Sequence, residues 1–233
     1  MPRFRAADLV VDVKADSTFV SEADQGAERA IRNALARVFP DDGVLGEEFG
    51  EERGSGRRWI IDPIDATANY VRGIPAWGSL IGLEADGEMV VGVVSAPALG
   101  ARWWAARGLG SWRNGTRIGV SQVSSLDEAQ LSFNSIVDCE AQGLGDEVLA
   151  LTRRCRRTRG FGDFWSFMLL AEGAVDVVVE PIAQLWDLAP LQPIVEEAGG
   201  TITDLQGRRV VEGKSVATNG HLHKVVLEAM GRV

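Results

Sequence analysis

"IIDPIDATANYVRGIPAW", residues 60–77, sets two aspartates three positions apart directly behind an apolar dipeptide. The preceding "RRWIID" reads as a strand that runs into the cluster. Asp62 and Asp65 repel each other at such a spacing, and burying either carboxylate unpaired costs on the order of several kcal/mol. A bound cation is the usual resolution. "GEE" lies fifteen residues upstream, and a hairpin-like return would set Glu47 beside Asp62. Far downstream, "WDLAPLQPIVEEAGG" puts Asp187 ahead of an apolar helical stretch, at an N-cap position. Oxygen-only ligands suit a hard cation, and Mg²⁺ fits such a set when substrate phosphate completes the shell. Neither His nor Cys lies near these motifs, which argues against zinc. His221 and His223 are read as surface or packing residues.

The remainder of the chain limits what surrounds the cluster. Its 233 residues suffice for one large domain or two lobes, and a net charge of −9 disfavours nucleic-acid backbones and acidic membranes as partners. No apolar run approaches the roughly 18 residues needed to cross a bilayer. The start, "MPRFRAADLVVDVK", lacks the apolar region of a secretory signal. Cys139 and Cys155 are isolated and read as free thiols of a cytoplasmic protein. A helix is predicted over 25–39, where Ala27, Ile31, Ala34, Leu35 and Val38 recur at helical spacing. Strands broken by Asp-Gly, Pro and Asn-Gly turns follow over 77–121. Beyond them come a strand near 130–135, helices near 144–155 and 163–173, a buried strand in "VDVVVE", and a "TITDLQG" strand and turn. A boundary is placed near 125, giving lobes 1–125 and 126–233.

"FVSEAD", "GEE", "WIIDPIDATANYVRGIPAW" and "WDLAPLQPIVEEAGG", in this order, resemble the inositol monophosphatase family of magnesium-dependent, lithium-sensitive phosphatases. Within it, "VRGIPAW", "SAPALGARWWAARGLGSW" and "GFGDFWSFMLLAEGAVDVVVEP" look closest to the bacterial branch that acts on histidinol phosphate. The resemblance implies a layered αβαβα sandwich: an α+β lobe with a mainly antiparallel sheet, then an α/β lobe. It implies Glu47, Asp62, Asp65 and Asp187 as side-chain metal ligands, the Ile64 carbonyl completing the primary site, and two or three Mg²⁺ per site. Asp24 and Thr67 would orient and activate the attacking water, and the backbone N–H groups of Ala66 and Thr67 would hold phosphate oxygens. Asp163 and Glu180, with Asp187, match the substrate-binding face, where acidic groups suit the amine of histidinol phosphate and equally a sugar or inositol hydroxyl. A homodimer is the family expectation.

Each motif also has a simpler reading. Asp187 and Asp24 could be helix caps, "DPID" a turn, and Glu47 with Glu48 a solvated pair. Trp77, Trp103 and Trp165 are expected in structural roles, and "TRRCRRTRG" as a solvated helix end. Joint occurrence in family order favours the functional reading. Ala66 stands where the family usually has Gly, so a positive φ there would be strained. Pro193 is expected to kink the helix after Asp187, whereas Pro190 in its first turn is harmless. The resemblance implies a further helix ahead of "FRAADL", and its absence is read either as a misassigned start or as an apolar face covered by a partner subunit. The leading expectation is histidinol-phosphate hydrolysis in histidine synthesis. Inositol 1-phosphate or another small sugar phosphate is the alternative substrate, and a catalytically weak binding or regulatory protein is the alternative of another class.

Overall fold

The computed structural model describes residues 1–13, 19–210 and 212–231. A short antiparallel pair, β1 (Val11–Val13) and β2 (Phe19–Ser21), leads into helix α1 (Glu22–Val38). Ser21 caps α1 through its side chain, so the helix starts three residues ahead of the predicted 25. Its most buried side chains are acidic: Asp24 and Glu28 face inward, while Ala34 and Val38 are exposed.

A first sheet is built from β3 (Gly43–Gly46), β4 (Gly50–Glu52), β5 (Arg57–Asp65), β6 (Gly78–Ala85), β7 (Glu88–Ala96), β8 (Ala101–Ala106), β9 (Ser111–Arg113) and β10 (Thr116–Ile118). The five-residue helix α2 (Thr67–Val71) interrupts it between β5 and β6. Spatial order is β10-β9-β8-β7-β6-β5-β3-β4, antiparallel except for the parallel β3–β5 pair. The Asp86-Gly87 and Asn114-Gly115 turns fall where the sequence predicts, with positive φ at all four residues, as tight hairpin turns require.

The second sheet has the order β12-β11-β13-β15-β14. In chain order these elements are β11 (Gln130–Phe133), α3 (Ile136–Ala141), α4 (Gly145–Arg154), β12 (Arg157–Arg159), α5 (Asp163–Ala171), β13 (Val177–Glu180), α6 (Leu185–Leu188), α7 (Leu191–Glu197), β14 (Thr201–Thr203), β15 (Ser215–Thr218) and α8 (His223–Ala229). The arginine run therefore ends α4 and then forms an edge strand, where arginines keep their charge in water. No kink arises at Pro193. The break falls instead at Ala189–Pro190, between α6 and α7, and Pro193 sits in the first turn of α7, where a missing N–H costs nothing.

The layers run α1, first sheet, α5 with α7, second sheet, then α4 with α8. Strand β13 shows how the pattern fixes this. Val177 and Val179 pack outward against Leu144, Leu151 and Val226, whereas Val178 packs inward with Phe167 and Ile194. Glu180, two residues after Val178, continues along the inner face. Trp77 and Trp103 are core residues, and Trp165 is half-buried against Phe161. His223 is tied to Thr203 at 2.8 Å and Thr218 at 3.2 Å, a packing role. Among the described residues no helix is long and apolar enough to cross a membrane.

Candidate active site

Residues three apart on a regular strand point to opposite faces, so β5 has to be irregular for Asp62 and Asp65 to meet. It carries a bulge. Asp62 pairs with Leu80 and Asp65 with Gly78, and the register shifts between them. Pro63, which has no N–H for a central ladder, sits in that shift, and its carbonyl accepts from Ser79 Oγ at 2.7 Å. "DPID" is thus a bulged strand end and not a turn.

One carboxylate oxygen from each of Asp62, Asp65 and Asp187 lies within 4.8 Å of the other two. Asp62 and Asp65 are buried, and Asp62 Oδ1 has no hydrogen-bond partner. Burial, then repulsion from neighbouring carboxylates (Asp65 and Glu47 on Asp62, Asp163 and Asp187 on Asp65), drives the pKa of both well above the ordinary carboxylate range. Asp187 is pushed up to about 7, mainly by burial, with Glu47 and Asp163 adding to it. Three converging carboxylates with an orphaned oxygen are what a cation site presents when only protein atoms are counted. Their all-oxygen donor set fits a hard divalent ion.

Glu47 reaches this group by a route other than the predicted hairpin. Strand β3 runs parallel to β5, and the Glu47 N–H donates to the Ile61 carbonyl at 3.2 Å. The parallel pair sets Glu47 at the same strand end as Asp62, and its charge raises the pKa of Asp62 and Asp187 alike. Asp187 is not an N-cap. Gln184 caps α6, and Asp187 at the third helical position returns its Oδ2 to the Gln184 N–H at 2.7 Å. Asp24 plays the same part in α1, accepting from the Ser21 N–H at 2.7 Å and Ser21 Oγ at 2.6 Å. Its other oxygen lies 3.2 Å from Thr67 Oγ1, which is also 2.9 Å from the Ile64 carbonyl. Burial raises the Asp24 pKa, and the Ser21 and Thr67 hydrogen bonds oppose the rise.

Ala66 has φ 63° and ψ 49°, the left-handed conformation that its lack of a glycine makes strained. It turns the chain from β5 into α2 immediately beside Thr67.

The second sheet contributes across the cleft. The first-turn N–H of Phe164 in α5 donates to Asp65 Oδ2 at 2.9 Å, so the positive end of that helix faces a metal-ligand candidate. Asp163, at φ 48°, lines the same pocket with Glu180, Asp187 and Asn134. Asn134 Nδ2 donates to Asp163 Oδ1 at 3.4 Å. Burial pushes Asp163 up to about 6 and Glu180 up to about 8, with Asp163 adding to the Glu180 shift. Both Glu180 oxygens are buried without a partner at hydrogen-bond geometry. Among the described residues, no lysine or arginine lines this pocket.

Sequence reading missed three participants. Ser21 was detectable as the first residue of a Ser-x-x-Asp capping box. Asn134 and the Phe164 amide carry no local signal, because only the packing of the two sheets brings them to Asp163 and Asp65.

The inositol monophosphatase family model matches residues 1–232. The chain belongs to that family. It is 50% identical to histidinol-phosphatase of Streptomyces coelicolor, covering 97% of this chain and 89% of that one. The histidinol-phosphatase of Mycobacterium tuberculosis is also 50% identical, with the same coverage of each chain. Among solved structures, the extragenic suppressor protein suhB of Bartonella henselae superposes with a TM-score of 0.92 at 31% identity, covering 98% of this chain and 91% of the other. The αβαβα architecture and the phosphatase class expected from the motifs both stand.

Proposed function

We propose that this phosphatase hydrolyses histidinol phosphate with Mg²⁺ held by Glu47, Asp62, Asp65, Asp187 and the Ile64 carbonyl. The observation that carries the substrate reading is the acidic wall of Asp163, Glu180 and Asp187, which no cationic side chain among the described residues of the pocket lining offsets. An amine two carbons from a phosphate ester supplies the missing positive charge. Similarity to two histidinol-phosphatases over nearly the whole chain supports the same substrate.

Bound Mg²⁺ supplies Lewis acidity: it acidifies water and neutralises charge on the phosphoryl group and the leaving oxygen. The chain does the positioning. Thr67 Oγ1 lies 3.2 Å from Asp24, so the hydroxyl would pass its own proton to the Asp24 carboxylate as it takes one from the attacking water. Ala66 and Thr67 offer backbone N–H groups to phosphate oxygens. Asp65 is held by the Phe164 amide, so one of its oxygens is committed before any ion binds. The same reading makes the protein a cytoplasmic homodimer taking two or three Mg²⁺ per site, with sedimentation and metal analysis as checks.

Phosphate release from histidinol phosphate and inositol 1-phosphate, side by side with Mg²⁺ and with EDTA, tests the reading. EDTA-sensitive turnover favouring histidinol phosphate is expected. A preference for inositol 1-phosphate would keep the metal assignment and discard the substrate. No turnover of either would favour the catalytically weak alternative.

A further inference from the structure

Glu28 is fully buried on α1, one helical turn after Asp24, and the hydrolytic scheme above gives it no role. Its carboxylate reaches the loop between β3 and β4. Oε2 accepts the Glu48 N–H at 2.7 Å, while Oε1 accepts the Phe49 N–H at 3.3 Å and Arg32 Nε at 2.8 Å. Arg32, the next turn of the same helix, also donates to the Gly50 carbonyl. The approach is so close that a Cβ on Gly46 would fall 2.0 Å from Glu28 Oε1. The glycine of "GEE" is therefore the space that the carboxylate occupies.

Packing does not account for this arrangement. A buried carboxylate–guanidinium pair adds little stability over apolar residues of similar volume. What the carboxylate does that an apolar group cannot do is fix two consecutive turn amides. Those amides follow Glu47 directly. On its other side Glu47 is held by its own N–H on the Ile61 carbonyl, next to Asp62. Its backbone is thus gripped between the strand that carries Asp62 and the helix that carries Asp24.

We infer that Glu28 is a positioning residue: with Arg32 it clamps the Glu47 loop to α1 and sets the distance between the metal-ligating Glu47 and the water-orienting Asp24. This rests on the reading of Glu47 as a metal ligand.

The test compares the full-length wild type with E28Q, R32K and E47Q, each stripped with chelator. Mg²⁺ binding is followed by calorimetry and by the Mg²⁺-induced rise in melting temperature, and phosphate release is measured against Mg²⁺ concentration. For E28Q the half-saturating Mg²⁺ should rise about tenfold, the usual scale for groups that orient a ligand, with most of kcat recovered at saturating Mg²⁺. R32K should shift the same way by less, and it decides alone if E28Q does not fold. A purely structural role would lower the melting temperature in EDTA and leave Mg²⁺ affinity unchanged. That result in E28Q and R32K, with E47Q weakened, overturns the clamp alone. Wild-type Mg²⁺ affinity in E47Q overturns the ligand reading of Glu47, and the clamp with it.

Discussion

At the scale of single residues, Asp65 and Ala66 sit side by side and fail in different ways. Asp65 is one of three carboxylates crowded within 4.8 Å, and the Phe164 amide satisfies one of its oxygens. Asp65→Asn keeps an acceptor for that amide but removes a charge. Mg²⁺-supported phosphate release should fall by more than about 100-fold, beyond the range for loss of a group that merely orients a ligand. The EDTA-treated variant should melt higher than wild type, because repulsion within the cluster is relieved. Wild-type turnover would sink the metal assignment. Ala66 holds φ 63° without glycine's freedom. Relief of about 1–2 kcal/mol of left-handed strain is offset by about 0.5–1 kcal/mol of glycine's extra chain entropy. Ala66→Gly should therefore stabilise the protein by up to roughly 1.5 kcal/mol, read as a rise in melting temperature of about 2–4 °C per kcal/mol. Turnover should not drop, since residue 66 already has the geometry the loop needs.

Among elements, the joint between α6 and α7 places Asp187, and a glycine permits it. Pro190 presses on the first sheet so closely that a Cβ on Gly92 of β7 would lie 2.1 Å from its carbonyl oxygen. Gly92→Ala should cost about 1–3 kcal/mol by overpacking and weaken Mg²⁺ binding by displacing α6, both measurable by thermal shift with and without Mg²⁺. Gly26→Ala is the contrast: in mid-α1 with open space around it, it should stabilise by up to about 1 kcal/mol. The motifs named the ligands because each is a short run of chemically odd residues at an element's end. They did not show how those ends meet. Glu47 arrives beside Asp62 through a parallel pairing, a long-range choice that local pattern does not encode. Asp187 was placed one role off, since a third-position acid and an N-cap acid look alike until the Gln184 bond is seen. Strand β15 and helix α8 escaped notice because each is short, seven residues at most, β15 being held by pairing with β13 and β14 and α8, without a side-chain cap, by packing on α4 and β15.

For the molecule as a whole, the site is a store of unfavourable charge whose size depends on pH. Asp163, Asp187 and Glu180 reach pKa values of about 6, 7 and 8, each chiefly through burial. In the unfolded chain such groups titrate near 4. The folded protein therefore keeps protons that the unfolded chain has already released. The stabilisation this brings is fully present below the unfolded pKa and is lost as pH rises through the three folded values. Exposed Glu88, lowered by Arg107 and Arg209, and half-buried Asp204, lowered first by the backbone N–H groups of Arg208 and Gln206, titrate below this interval, and half-buried His223, whose pKa burial lowers, opposes the trend only at its acid end. In EDTA the melting temperature should fall steadily from pH 5.5 to pH 8.5. Metal binding requires Asp187 and its fellow ligands Asp62 and Asp65 deprotonated, so the rise in melting temperature produced by saturating Mg²⁺ should grow over that interval. Calorimetry in buffers of different ionisation enthalpy should detect protons released on binding, fewer as pH increases. Glu180→Gln removes the highest of these three values and should flatten the EDTA curve above pH 7. A melting temperature in EDTA that is flat or rising from pH 5.5 to 8.5 would mean that these carboxylates are solvated in the folded protein, and the pocket would lose the uncompensated charge on which amine recognition depends.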